Sequence, residues 1–264
     1  MKEKPELTFD TIKRMEDMSW FINAQIFDDL LIVSQKETCC YILKTDSGLV
    51  VFDGIWPDEK VYEEIRNAIS DAGWSDIPVT KFIMTHGHID HVGCGKWLVD
   101  NYNVKTYLSK TDDLLRLYTP HEDGRSDSYK EFTIDSYIDD GDIIDCGNKA
   151  IEVIHTPGHT DGCMSFVFPI SENGRIHNAV LFGGATPSWN DEAAKIIQKQ
   201  SVEKIKQIAE TAYVEVALTN HTAFDSGLQR IEYSKARMNH LPNIYLLGIK
   251  GVLDFLDVFR IMAE

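Results

Sequence analysis

Thr85-His86-Gly87-His88-Ile89-Asp90-His91 places three imidazoles and a carboxylate within six consecutive positions, His86 to His91, of a 264-residue chain. The apolar run Phe82-Ile83-Met84 before it reads as a buried strand, and residues 92–98 after it read as the start of a helix. A His-x-His-x-Asp-His pattern suits borderline divalent metals, zinc above all, which take nitrogen and oxygen donors. Gly87 frees the backbone to turn, so that two histidines one residue apart can converge on one ion. The alternative, a solvated polar turn, leaves this concentration of ligand types without a reason. The stretch reads as a metal site at the end of a strand.

The rest of the composition limits what such a site can serve. With 43% hydrophobic residues and no repeat, low-complexity tract or linker-like stretch, the chain reads as one domain, with residues 1–25 as a charged N-terminal arm or cover. A formal charge of −16 argues against nucleic acid or an anionic membrane surface as partner. That argues against the metal-dependent nucleases, some of which share this kind of motif. The N-terminal residues have no apolar signal-like run, and no segment reaches transmembrane length. The five cysteines (Cys39, Cys40, Cys94, Cys146, Cys163) are odd in number and lack Cys-x-x-Cys spacing, which fits reduced thiols and a cytoplasmic location.

Working outward, residues 30–34, 38–43 and 49–52 are short apolar segments separated by turn chemistry, an antiparallel meander. Cys39 and Cys40 are neighbours on one strand and point to opposite faces as packing residues. Asp53-Gly54 closes the third of these strands, either as a plain turn or as a buried carboxylate bracing the metal loop from behind. Residues 57–72 form a helix stopped by Gly73, and 104–108 a strand leading to a helix capped at Ser109 or Thr111. The polar stretch 120–130 is too hydrophilic for core and is a solvated loop or a lid, with His121 on the surface. Strands at 143–144, 150–154, 164–168, 179–182 and 214–218 follow, with helices at 192–213, 227–240 and 251–263. The first of these helices carries Ile197, Ile205, Ile208 and Ala212 as its apolar side, and the last carries Val252, Phe255, Leu256, Phe259 and Met262. Pro157-Gly158 turns the chain so that His159 is presented at a strand end, and Thr219-Asn220-His221 closes another. His155 belongs to its strand as a structural residue, and His177 and His240 read as solvent-exposed. Two β-rich halves, each covered by helices, give an α/β four-layer αββα sandwich with ligands at strand ends.

His86-Gly-His88-Ile-Asp90-His91, His155-Thr-Pro-Gly-His159-Thr and Thr219-Asn-His221 together resemble the metal-binding motifs of the metallo-β-lactamase superfamily, over nearly the whole chain from Ile26 onward. A histidine in Asn220-His221-Thr-Ala-Phe-Asp225 is similar to the third subclass of metallo-β-lactamases and its relatives. The resemblance implies that His86, His88 and His159 hold one Zn2+, that Asp90, His91 and His221 hold a second, and that Asp53 is the buried aspartate behind them. One departure is informative. Glyoxalase II and the acyl-homoserine lactonases carry a bridging aspartate after the corresponding strand, and the first two lactamase subclasses place a cysteine in that region. This chain has Gly183-Gly184-Ala185-Thr186 there. Cys94 lies in the wrong segment to substitute and reads as packing.

The resemblance implies a zinc-dependent hydrolase. A hydroxide made available at neutral pH by the metal and oriented by Asp90, the catalytic residue, would attack a lactam, amide or ester carbonyl of a small molecule. A cytoplasmic lactonase or other (thio)ester or amide hydrolase with little β-lactamase activity is the alternative. An iron-dependent oxidoreductase is a further one, disfavoured by the aspartate in the first motif. Thr186, Ser188 and Trp189 follow a strand ending near the metals and are candidate substrate contacts, with an ordinary loop as the other reading. Substrate identity and oligomeric state are left open by the sequence.

Overall fold

A computed structural model describes residues 17–122, 128–187, 191–238 and 240–264. Most of the expected arm (residues 1–16), residues 123–127 of the polar stretch, Ser188, Trp189 and the side chain of His121 lie outside the described part.

The antiparallel meander forms as expected: β2 (Leu30–Gln35), β3 (Thr38–Thr45) and β4 (Gly48–Phe52) pair in sequence order. The alternation along it is buried on both sides. Cys39, Tyr41 and Leu43 face one core while Cys40 and Ile42 face another, which is why this segment reads as continuous apolar sequence. Three parallel strands extend the sheet: β5 (Val79–Ile83), β6 (Lys105–Leu108) and β7 (Ser136–Tyr137). The other edge differs from the sequence reading. Phe21–Phe27, divided by that reading between arm and body, is strand β1 paired antiparallel to β2. As an edge strand with its first three residues only partly covered, it lacks the strong alternation that would have revealed it.

The second sheet has the order β12-β11-β10-β9-β8. Its members are β8 (Ile143–Asp145), β9 (Ala150–His155), β10 (Met164–Glu172), β11 (Arg175–Phe182) and β12 (Val214–Thr219). Strands β10 and β11 are longer than expected, because Asn173-Gly174, both at positive φ (51° and 73°), makes a tight hairpin that pairs their polar tips.

Seven α-helices are found among the described residues. Helices α1 (Glu59–Asp71), α2 (Ile89–Val92), α3 (Gly95–Tyr102) and α4 (Lys110–Glu122) belong to the first half, and α5 (Glu192–Thr211), α6 (Gly227–Ala236) and α7 (Gly248–Met262) to the second. One core, with Phe52, Phe166, Phe168 and Leu181, lies between the sheets. A second packs α1 and α3 onto the first sheet through Val61, Ile65 and Leu98, and a third packs α5 and α7 onto the second through Val202, Ile205 and Phe259. The architecture is the four-layer αββα sandwich.

Three readings are corrected. Ile197 is 37% exposed rather than on the buried side of α5, which is formed by Ala194, Val202, Ile205 and Ala209. Tyr129, in the stretch judged too polar for core, is buried, and its hydroxyl accepts from Arg116 Nη1 at 2.9 Å. His177 is not solvent-exposed: its side chain is 12% accessible, and Nδ1 donates to Glu215 Oε2 at 2.6 Å across two parallel strands. His240 is exposed, as expected.

Candidate active site

The C-terminal ends of β4, β5, β9, β11 and β12 meet at one edge of the sandwich, and the histidines of the three motifs follow these ends in loops, except His155, which ends β9, and His91, which lies on the short helix α2. His155 ends β9 with Nε2 2.8 Å from the Asp161 carbonyl oxygen, so it shapes the loop that carries His159.

Two groups of ligand atoms converge there. One nitrogen from each of His86, His88 and His159 lies within 4.8 Å of the others, and so does one atom from each of Asp90, His91 and His221. The groups are adjacent, with the His86 and His91 ring centroids 4.1 Å apart. Each group could hold a divalent cation.

The hydrogen bonds set which nitrogen each ring offers. Thr85 Oγ1 donates its single proton to Asp53 Oδ2 (2.9 Å), so it accepts from His86 Nδ1 at 2.9 Å. His86 Nε2 is left as an acceptor, and it is buried without any partner. A buried unpaired acceptor is costly in a folded chain, and a cation on it removes that cost. His159 Nδ1 donates to the Thr186 carbonyl at 2.6 Å, which leaves Nε2 free and directed at His88 Nδ1, 3.0 Å away. Two ring nitrogens at that separation suit a shared cation. His91 Nδ1 donates to Asp53 Oδ2 at 2.9 Å and His221 Nδ1 to the Glu37 carbonyl at 3.2 Å, leaving their Nε2 atoms 3.2 Å apart.

Asp53 is therefore more than a turn residue. Its Oδ1 accepts from the Thr85 backbone N–H at 2.7 Å, and it is 1% exposed. Its φ of 59° is unfavourable for a residue with a Cβ and is fixed by flanking backbone bonds, Asp53 N to Ile83 O (3.0 Å) and Gly54 N to His91 O (2.6 Å). Of the two readings of Asp53-Gly54, the geometry supports the bracing carboxylate.

The electrostatics of the two groups differ. Burial, and then the neighbouring His88, pull His159 down to about 3. Burial and His91 pull His221 down to about 4, and His86 is lowered well below its ordinary value by burial and the surrounding imidazoles. For His91, burial opposes protonation, but the Asp90 and Asp53 carboxylates outweigh it and raise the pKa. Asp90 is held at about 2: burial pushes it up, and the imidazoles of His91, His221 and His88 more than reverse that.

One residue escaped the sequence reading. Asp112 on α4 is 1% exposed and ties two ligand loops together. Its Oδ2 accepts from the Gly87 N–H (2.8 Å) and Thr160 Oγ1 (2.7 Å), and its Oδ1 from the Gly162 N–H (2.8 Å). Gly87 is needed for this approach and not for unusual torsions, since a Cβ there would collide with the Asp112 carbonyl oxygen. A carboxylate in the first turn of a helix gives no sign in sequence that it accepts from loops 25 and 50 residues away. Thr186 enters the site through its carbonyl on His159, and Ser188 and Trp189 are outside the described residues.

The departure at Gly183-Gly184 also has a steric basis. A Cβ on Gly183 would collide with the Met164 carbonyl oxygen, and one on Gly184 would lie 2.5 Å from His159 Cβ. The next residue, Ala185, is 3% exposed. Among the described residues, no carboxylate from this strand end belongs to either ligand group.

The metallo-beta-lactamase superfamily profile matches residues 37–172 of the chain, which contain the first two motifs and the loop of Asp53. The chain belongs to the metallo-beta-lactamase superfamily. Among solved structures it is similar to a subclass B3 metallo-beta-lactamase of Bradyrhizobium japonicum, with a TM-score of 0.75, 18% identity and 90% of each chain covered. It is also similar to the metallo-beta-lactamase of Legionella gormanii, with a TM-score of 0.77, 17% identity, and 92% of this chain and 94% of that one covered. At these identities the likeness establishes the shared fold. In sequence it is similar to a hydroxyacylglutathione hydrolase of Haemophilus influenzae, 28% identical over 142 residues, or 52% of this chain and 63% of that protein. The match thus spans less than two thirds of that relative.

Proposed function

We propose that this superfamily member is a dinuclear zinc hydrolase that cleaves a lactam, lactone, ester or thioester bond of a small molecule. At the level of class it is a metal-dependent hydrolase, the reading that its family and its hydroxyacylglutathione hydrolase relative support. The observation that carries the proposal is the pair of adjacent three-atom groups, one of which includes the partnerless buried Nε2 of His86. His86, His88 and His159 would hold one ion, and Asp90, His91 and His221 the other. Three protein ligands per ion leave positions for water and substrate, as catalytic rather than structural zinc sites do. Bound zinc supplies Lewis acidity, lowering the pKa of water and polarising a carbonyl.

The protein's own groups do the rest. Asp53 fixes the His91 ring and Thr85 the His86 ring, so each turns its Nε2 towards the group. The Thr186 and Glu37 carbonyls do the same for His159 and His221. Asp90, ionised down to about pH 2, presents a carboxylate at the junction of the groups, with Oδ2 3.5 Å from His91 Nε2 and 3.8 Å from His221 Nε2. There it can accept a proton from an attacking water and orient it towards the carbonyl.

A β-lactam is the substrate that the fold neighbours suggest, and a thioester the one that the sequence relative suggests. The test is elemental analysis of the purified protein run beside hydrolysis of nitrocefin and of lactone, ester and thioester panels, with and without a chelator. Two zincs per chain and chelator-sensitive turnover of any of these substrates are expected. Iron in place of zinc, or two zincs with no turnover on any panel, overturns the proposal. Asp90→Ala is expected to remove turnover while the protein stays folded, and unchanged turnover would remove Asp90 from the mechanism.

A further inference from the structure

A cleft of about 620 Å³ opens directly beside His88 and His159. This is within the usual size of a small-molecule site. Its walls come from α4 and from the start of α5. Three large apolar side chains there are left open to water: Leu114 (56% exposed), Tyr118 (65%) and Ile197 (37%). Exposed apolar groups gathered around a concave surface mark a ligand site more often than chance exposure. Asp161 and Asp191 are the charged residues of its rim, and among the described residues lining it there is no lysine or arginine. On the same helices Arg116 is buried against Asp113, and Lys195 pairs with Glu192. The net charge of −16 adds a repulsive field for any anion.

We propose that this cleft selects substrates carrying an uncharged apolar arm and discriminates against arms that end in a carboxylate. The inference rests on the hydrolase reading for the reacting bond, and it names the chemistry of the group beside that bond. It places neutral acyl esters, amides or lactones ahead of substrates whose recognition depends on a carboxylate.

Binding and turnover separate the two claims. Binding of acetohydroxamic, hexanohydroxamic and adipic monohydroxamic acids to the zinc-loaded protein would be measured by calorimetry, and hydrolysis with the acetyl, hexanoyl and adipoyl p-nitrophenyl esters. A methylene that leaves water on binding is worth about fourfold in affinity. The hexanoyl arm should therefore exceed the acetyl arm by about tenfold or more, allowing for a cleft that stays partly open. The carboxylate-ended arm should fall at least about tenfold below the hexanoyl arm and recover with added salt. Ile197→Glu should erase the hexanoyl advantage, and Asp161→Lys should narrow the gap between hexanoyl and adipoyl arms. Thermal melts of both variants check that they are folded. Equal binding of all three arms, or a preference for the carboxylate, overturns the inference, and so does a dimer that Ile197→Glu dissolves. The expected binding order without turnover of any ester keeps the cleft's selectivity and removes the hydrolase reading. Chelator-sensitive turnover without dependence on the arm does the reverse.

Discussion

The two ligand groups touch, yet they are built differently. His86 and His159 are held by neutral acceptors, a threonine hydroxyl and a backbone carbonyl. The neighbouring group contains a carboxylate of its own, Asp90, and its His91 donates to the carboxylate of Asp53. Burial among imidazoles keeps His86 and His159 unprotonated, while two carboxylates make His91 a stronger base than an ordinary histidine. A group of neutral imidazoles is ready for a cation as it stands. The second group must exchange a proton for its cation, although its acidic ligand gives it the greater attraction for positive charge. Two sites with nearly the same donor atoms should thus differ in how they respond to pH and to loss of their supports.

The harshest way to break the comparison is His86→Ala, which removes the buried donor between the two groups. Hydrolysis should fall to the chelated background, and the metal content should fall by one ion per chain by elemental analysis. Asp53→Asn is milder and more selective. It retains the shape of the side chain and an acceptor, but removes the charge behind His91. Loss of a carboxylate that supports a metal-bound imidazole costs about 10–100-fold in metal affinity or activity. The second ion should be the one weakened, leaving one tight ion in a calorimetric titration; equal weakening of both would show that Asp53 does not distinguish the groups.

pH sharpens the same contrast. In the metal-free chain His91 holds its proton above the ordinary histidine range, so second-site affinity should rise about tenfold per pH unit up to its folded pKa and then level off. His159, at about 3, and His86, lowered well below its ordinary value, have no proton to lose from pH 6 to 8, so neither should add a pH dependence to first-site affinity there. For stability the signs are opposite. His86, His159 and His221 titrate lower when folded than when unfolded, so between their folded values and about 6.5 the unfolded chain binds more protons. Their contribution is lost as pH falls through that window. That of His91 is present below about 6.5 and lost as pH rises through its folded pKa. With three groups against one, urea melts of the metal-free chain should show lower stability at pH 5 than at pH 7.

Asp112→Asn tests the support of the first group from the other side. The amide can accept through only one oxygen, so one loop loses a partner and a buried donor is left unmatched, at about 1–3 kcal/mol. Because Gly87 lies between His86 and His88, and Thr160 follows His159, first-site affinity should fall several-fold, with a lower melting temperature and the second site little changed. A melting shift with both affinities intact would make Asp112 a structural tie alone.

The contrast also explains what could be read in advance. The clustering of the candidate ligands was legible because metal binding demands particular side chains at short spacings, as in His86-x-His88-x-Asp90-His91. The central strands were legible because burial on both faces leaves continuous apolar runs such as Leu49–Phe52 within β4. Strand β1 was not, since one covered face at a sheet edge imposes only a weak pattern. Asp112 was not, because its partners are backbone N–H groups and a hydroxyl, which leave no constraint on nearby residue types. The wall of the cleft was misread for a related reason. Ile197 has helical spacing compatible with core, and only the rotation of α5 shows that it faces solvent beside His159.

The smallest expected effect concerns Cys94. Three residues after His91, it occupies a position that could suggest a thiolate ligand. Its thiol is buried in the core between the first sheet and α1, its pKa is raised by burial alone, and it belongs to neither ligand group. A thiol held in its protonated form away from both groups is a packing residue, and its backbone contributes more than its sulfur: Cys94 N donates to the Gly54 carbonyl at 3.1 Å, next to Asp53. Cys94→Ala retains that bond and removes one buried sulfur, a loss of about 1 kcal/mol if the cavity does not collapse. Metal stoichiometry and turnover should be unchanged while the melting temperature falls by a few degrees. A loss of metal without a loss of stability would instead mean that the sulfur reaches the ligand groups, and the neutral character of the first group would have to be reconsidered.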